Sequence, residues 1–107
     1  MSETIYFKQE EYSFVDVNTG DKVLITYEEY HNPRIRYAID VSVSTYVDRK
    51  HHIVMQREFE LLRRDEAKSL FNRLVADNQL IAEDNPNQSI VYNSSESTTL
   101  KKGIKDE

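Results

Sequence analysis

Residues 34–62, RIRYAIDVSVSTYVDRKHHIVMQREFELL, decide the fold that this sequence predicts. Between Ile35 and Val47, apolar residues occupy most odd positions and polar residues most even ones, which is the period-two pattern of a strand with one buried face. Most of the odd residues are Ile or Val, whose branched Cβ suits a strand. A second alternating segment begins at Ile53, after the polar stretch Asp48–His52. The sequence therefore predicts a long β-hairpin.

The apolar residues of the two segments also predict how the strands pair. Aligning Val47 with Ile53 places Val41 opposite Phe59 and keeps the apolar side chains of both strands on one face. If the register slipped by one residue, the apolar side chains of one strand would face solvent. The alternation therefore favours a parity in which odd-numbered residues pair with odd-numbered residues. The apolar face of the hairpin is expected to be core, and the polar face is expected to be exposed.

Two further strands are predicted before the hairpin. Residues 12–17 and 22–30 alternate, and Gly20 lies in the polar turn between them, where glycine can adopt a left-handed conformation without steric cost. Pairing Tyr30 with Arg34 across the next turn completes a meander and sets Glu28 opposite Arg36. Residues 1–10 and 89–92 each contain a short apolar patch that fits an edge strand, without requiring one.

After Leu62 the apolar period changes to that of a helix. The apolar residues of the region 65–78 lie three or four positions apart, which predicts an amphipathic helix packed on the apolar face of the sheet. The polar residues 93–107 favour a flexible, disordered C-terminal tail. The predicted fold is α+β, with residues 1–92 forming a single domain: an antiparallel β-meander of about four strands with one helix on one face.

Composition and charge narrow the range of functions. The 107-residue chain has no cysteine and no apolar leader or spanning segment, from which we expect a cytoplasmic protein outside the membrane. The net charge is −5, and residues 1–33 contain seven acidic residues against two lysines. Nucleic-acid binding requires neutralisation of phosphates and is therefore the least favoured function. It would use the basic residues Arg34, Arg36, Arg49, Lys50, Arg63 and Arg64.

The sequence lacks the common signatures of catalysis. With two glycines in the chain there is no glycine-rich phosphate loop, and no nucleophile elbow is present. The three histidines, His31, His51 and His52, fall at opposite ends of a predicted strand, too far apart to share a metal ion. We expect no enzymatic activity, no catalytic residue, no metal and no cofactor.

The candidate site is a surface for a protein partner. The pairs Glu10-Glu11 and Glu28-Glu29 are expected to gather at one end of the first hairpin. On the polar face of the second hairpin, Asp40 is expected opposite Glu60, an unfavourable like-charge pair. An ordinary solvated face explains these acids more simply, and a weak divalent-cation site is a further alternative. The predicted partner-binding residues are Glu10, Glu11, Glu28, Glu29, Tyr30, Arg36, Asp40, Tyr46, Glu58 and Glu60.

From these observations we expect a small acidic protein-binding module. Its segregated acidic charge favours an inhibitor or regulator that occludes a basic surface of a partner, such as a surface that binds nucleic acid. Phage-encoded inhibitors of host defence, including anti-CRISPR proteins, work in this physical style. The alternative is a structural or adaptor subunit that forms a homodimer, or docks in a larger complex, through its sheet.

Overall fold

The computed structural model describes residues 2–31 and 34–102, with side chains placed for 5–31 and 34–98. The elements are β1 (Ser2–Asp16), β2 (Lys22–His31), β3 (Ile35–Val47), β4 (Lys50–Leu61), α1 (Arg64–Glu83) and β5 (Gln88–Lys102). The strands form one antiparallel sheet in the order β4-β3-β2-β1-β5. The α+β class, the antiparallel sheet and the single helix are confirmed, but the sheet has five strands rather than about four.

The fifth strand is formed by residues that the sequence pattern did not assign. β5 pairs with β1 from Gln88 to Lys102, so residues 93–102 continue a strand where a disordered tail was expected. The composition of this segment is too polar for a buried strand, but an edge strand is held by its backbone ladder and needs few apolar contacts. The same prediction for residues 103–107 lies outside the described residues.

From Tyr37 to Val43 the β3–β4 hairpin has the predicted parity, but its register is shifted by two residues, so Val41 lies opposite Arg57 rather than Phe59. Val47 pairs with Lys50, not with Ile53, because the connection is a two-residue turn. Asp48 and Arg49 form that turn with φ values of 54° and 66°, the left-handed conformations that a type I′ hairpin turn requires. The predicted five-residue loop is therefore wrong.

A β-bulge lies near the turn of the same hairpin. Ser44 pairs with Ile53 and Val43 pairs with Met55, which leaves Val54 as an extra residue in β4. The bulge reverses the alternation, so Ile53 and Met55 lie on opposite faces of the sheet. The prediction that both belong to the core is wrong, because both side chains are exposed.

The β2–β3 register also differs from the prediction by two residues. Tyr30 pairs with Arg36 instead of Arg34, and Glu28 pairs with Ala38. The predicted Glu28–Arg36 pair therefore does not form. The Arg36 guanidinium instead lies over the Tyr30 ring, 5.1 Å from its centroid, at the distance of a cation–π contact.

The hydrophobic core lies between α1 and one face of the central strands. Phe71, which is 1% exposed, is at the centre of the helix contact, and its ring centroid is 5.7 Å from that of Tyr27 and 6.0 Å from that of Tyr12. Burying a side chain of this size stabilises the fold by roughly 2–3 kcal/mol. The buried apolar cluster consists of Phe14, Ile25, Tyr27, Tyr37, Ile39, Val41, Ala67, Phe71 and Val75.

Candidate functional site

The sheet has a face covered by α1 and an opposite face, here called the open face, that no described element covers. Because side chains alternate along a strand, the observed registers assign each residue to one face. Glu11, Thr26, Asp40 and Glu58 pair in sequence across β1 to β4, so they form one row on the open face. The neighbouring row contains Gln9, Glu28, Ala38 and Glu60.

Eight of the ten predicted partner-binding residues share the open face. They come from four strands that the sequence separates by up to fifty positions, and the sheet brings them together. The eight are Glu11, Glu28, Tyr30, Arg36, Asp40, Tyr46, Glu58 and Glu60.

The carboxylates of the open face have few cationic neighbours. Asp40 lies directly opposite Glu58, rather than opposite Glu60 as predicted, and this like-charge pair is unfavourable. Asp40 accepts a hydrogen bond of 3.2 Å from the Gln56 amide, and Arg36 Nε donates to Glu60 Oε2 at 3.0 Å. Among the described residues, no cationic group lies within 4.0 Å of the Asp40 or Glu58 carboxylate.

Two tyrosines border this acidic surface. Tyr30 packs on Phe7 with 5.0 Å between ring centroids, and its hydroxyl donates to Glu28 at 3.1 Å. Burial and the neighbouring Glu28 carboxylate raise the pKa of Tyr30, so it remains a neutral donor. Tyr46 is exposed at the far end of β3 and packs on His51, 4.9 Å between centroids. Exposed aromatic rings beside charged groups are typical of protein interfaces.

Glu10 and Glu29 lie on the face covered by α1, so the four carboxylates predicted to gather at one end of the first hairpin are divided between the two faces of the sheet. Glu10 pairs with Tyr27, and Glu29 follows Tyr27 by two positions on the same face. Glu11 and Glu28 are their direct chain neighbours and therefore point to the open face. Each Glu-Glu pair contributes one carboxylate to each face.

Glu29 is the centre of a buried polar cluster. Its side chain accepts hydrogen bonds from the Tyr27 hydroxyl at 2.7 Å and from Arg64 at 2.7 Å, and it lies 2.6 Å from His31 Nε2. Burial alone would raise its pKa, but the hydrogen bonds from Arg64, Tyr27 and His31 outweigh burial and lower the pKa of Glu29 to about 2. Burial and the adjacent carboxylate raise the pKa of Tyr27. Sequence reasoning missed this cluster.

Glu10 is the second carboxylate on the covered face that pairs with a cation of α1. Lys68 Nζ lies 2.6 Å from Glu10 Oε2, and Lys8 Nζ lies 3.5 Å from the same oxygen. Burial opposes ionisation, yet the two lysines lower the pKa of Glu10. Lys68 follows Arg64 by one helical turn, so both cations point from α1 to the sheet. The sequence signal that could have revealed these contacts is the i, i+4 spacing of Arg64 and Lys68 on the side of α1 that faces the sheet. Glu10 and Glu29 therefore hold the helix on the sheet.

The histidines belong to separate regions. His31 lies in the Glu29 cluster, whereas His51 and His52 pair with Tyr46 and Thr45 at the other end of β3. Within residues 2–31 and 34–102, no group of three His, Asp or Glu side chains is arranged to hold a metal ion. In the same part of the chain, no helix has the length and apolar character needed to cross a membrane.

Apolar side chains are exposed along β4, a feature that the sequence pattern did not predict. Ile53 is 63% exposed, Val54 60% and Met55 43%. α1 lies mainly over β2 and β3 and leaves this part of the edge strand uncovered. Ile90, Val91 and Tyr92 are exposed in the same way near the start of β5.

Comparison with known proteins returned no match to a protein-family model, to a curated protein or to a solved structure.

Proposed function

We propose that this protein is a small binding module whose open face docks on a basic surface of a protein partner and occludes it. The observation that carries the proposal is that the acids on the two faces of the sheet differ in how many cations accompany them. On the covered face, Glu10 and Glu29 are paired with Lys68 and Arg64. On the open face, among residues 5–31 and 34–98, five carboxylates occur with two basic residues, Arg36 and Lys22.

The proposed contact is electrostatic in origin. Neighbouring strands of a sheet lie about 5 Å apart, so Glu11, Asp40 and Glu58 present a row of negative charge on a flat surface. Such a surface attracts a complementary basic patch and accelerates association with it. The repulsion between Asp40 and Glu58 in the free protein would be relieved by a cation of the partner. Tyr30 and Tyr46 would supply the aromatic contacts that interfaces favour.

This contact would make the protein an inhibitor or regulator rather than a scaffold. A partner surface that is basic enough to fit the open face is the kind of surface that binds nucleic acid. A domain of this size covers such a surface by steric occlusion, and no chemistry is needed. An inhibitor of this type resembles, in physical style, the phage-encoded proteins that block host defence.

The test is capture of a partner with matched charge variants. The double variant Glu11→Lys/Glu58→Lys reverses two open-face acids that have no ion pair among the described residues. The control Asp77→Lys/Glu83→Lys makes the same change in net charge on exposed positions of α1. Captured proteins are identified by mass spectrometry, and their affinities are then measured with purified components.

We expect the wild type and the α1 control to bind the same basic partner, and the open-face variant to bind it at least about tenfold more weakly. Binding should also weaken as salt is raised, because exposed charge pairs are screened. Equal loss of affinity in both variants, or capture that is unaffected by reversal of the open face, would exclude this face as the docking surface.

A further inference from the structure

The β4 edge of the sheet has features that fit a second copy of the same chain. β4 pairs with β3 on one side, and no described strand pairs with its other side. Its 12 residues are about twice the usual strand length, so a long row of backbone donors and acceptors faces outward. An antiparallel strand from another molecule could pair with that row.

The middle of β4 is apolar on both faces of the sheet. Ile53 projects on the open face and Met55 on the covered face, and Val54 occupies the bulge between them. All three side chains are more than 40% exposed. A group of exposed apolar residues at the centre of an unpaired strand is a typical interaction site.

The charges on either side of this apolar centre are of opposite sign. The first part of β4 contains Lys50, His51 and His52, whereas the last part contains Glu58 and Glu60 and remains acidic in spite of Arg57. An antiparallel copy aligns the basic end of one strand with the acidic end of the other and places the apolar centres together. A parallel copy would align like charges.

We propose that the protein forms a homodimer by antiparallel pairing of β4 with β4 of a second copy, with the two-fold axis near Val54. Such an isologous contact closes on itself and covers the β4 edge of each copy. The β5 edge is less suited, since its apolar residues 90–92 lie near one end and would meet polar residues of an antiparallel copy. The dimer joins two sheets edge to edge and so places two acidic open faces side by side. It does not depend on the proposed partner binding.

Cysteine cross-linking tests the position of the axis. The chain contains no cysteine, so Val54→Cys introduces a single thiol at the proposed centre. Mild oxidation of the variant is expected to give a covalent dimer in high yield, because the two thiols lie opposite each other. Val91→Cys, on β5, where Val91 is 45% exposed against 60% for Val54, should remain largely uncross-linked. Efficient cross-linking through Val91→Cys with none through Val54→Cys would overturn the proposal.

Sedimentation of the full chain measures how strongly two copies associate. The wild type is expected to dimerise, and Ile53→Lys should give a folded monomer, whereas Ile90→Lys on β5 should dimerise as the wild type does. A wild type that remains monomeric up to about 0.5 mM would refute the proposal.

Discussion

Replacing Glu29 with Gln should remove most of the electrostatic stabilisation that links the helix to the sheet. Glu29 is 3% exposed, and Arg64, Tyr27 and His31 surround its carboxylate. Its pKa falls from the ordinary value of 4.5 to about 2. That difference corresponds to about 3 kcal/mol of stability at neutral pH. We expect Glu29→Gln to lose a similar amount, because the amide keeps the shape of the side chain and not its charge.

The pH dependence of this loss identifies its cause. A carboxylate with a lowered pKa in the folded state binds a proton more readily in the unfolded chain. Its stabilisation is therefore complete above about pH 5 and disappears as the pH falls from the unfolded value towards the folded value of about 2. The wild type should be more stable than Glu29→Gln at neutral pH, and the difference should shrink between about pH 5 and pH 2.

Urea unfolding followed by circular dichroism at several pH values measures this difference. Glu58→Gln, an exposed carboxylate on the open face, provides the control, and its stability should stay within about 0.5 kcal/mol of the wild type. Other carboxylates contribute equally to wild type and variant and cancel in the comparison. A difference between wild type and Glu29→Gln that is constant across this pH range would refute the assignment of the stability to an ionised Glu29.

Three other predictions concern the core, one turn and the open face. Phe71→Ala should cost about 3–5 kcal/mol in urea unfolding, because it leaves a cavity between α1 and the sheet. Gly20→Ala should cost at least about 1–2 kcal/mol by the same assay, since Gly20 has a φ of +81° and a Cβ there would lie 2.8 Å from Tyr46 Cβ. Glu58→Lys should raise stability by about 0.2–1 kcal/mol, measured as the midpoint of unfolding, because it faces Asp40.

The parity of the strands was predictable from the sequence, whereas their register was not. Alternation over β3 identifies which residues share a face, but a shift of two residues preserves every such assignment. The length and type of each turn decide between registers that differ by two residues. Asp48 and Arg49 adopt left-handed conformations without the Asn-Gly or Asp-Gly signal that would reveal a two-residue turn. The bulge at Val54 adds one residue and changes the face of those before it.

Long-range pairing explains the other differences between prediction and structure. Residues 93–102 have the composition of a disordered segment, and the β1 residues that order them by pairing lie 82 to 100 positions earlier in the chain. The buried state of Glu29 likewise depends on Arg64, thirty-five positions away. The separation of Glu10 from Glu11, however, follows from strand alternation alone. That part of the site could have been assigned correctly from the sequence.

The two sets of acids therefore make opposite contributions to stability. Loss of charge at Glu29 should destabilise the protein, whereas reversal of charge at Glu58 should stabilise it, since Asp40 lies opposite. A residue that lowers the stability of the free protein is retained more readily when a bound partner gains from it. If Glu58→Lys both stabilises the fold and weakens partner binding, the open face contributes to function and not to folding. If the same variant stabilises the fold and leaves binding intact, the acids of the open face serve only as a solvated surface.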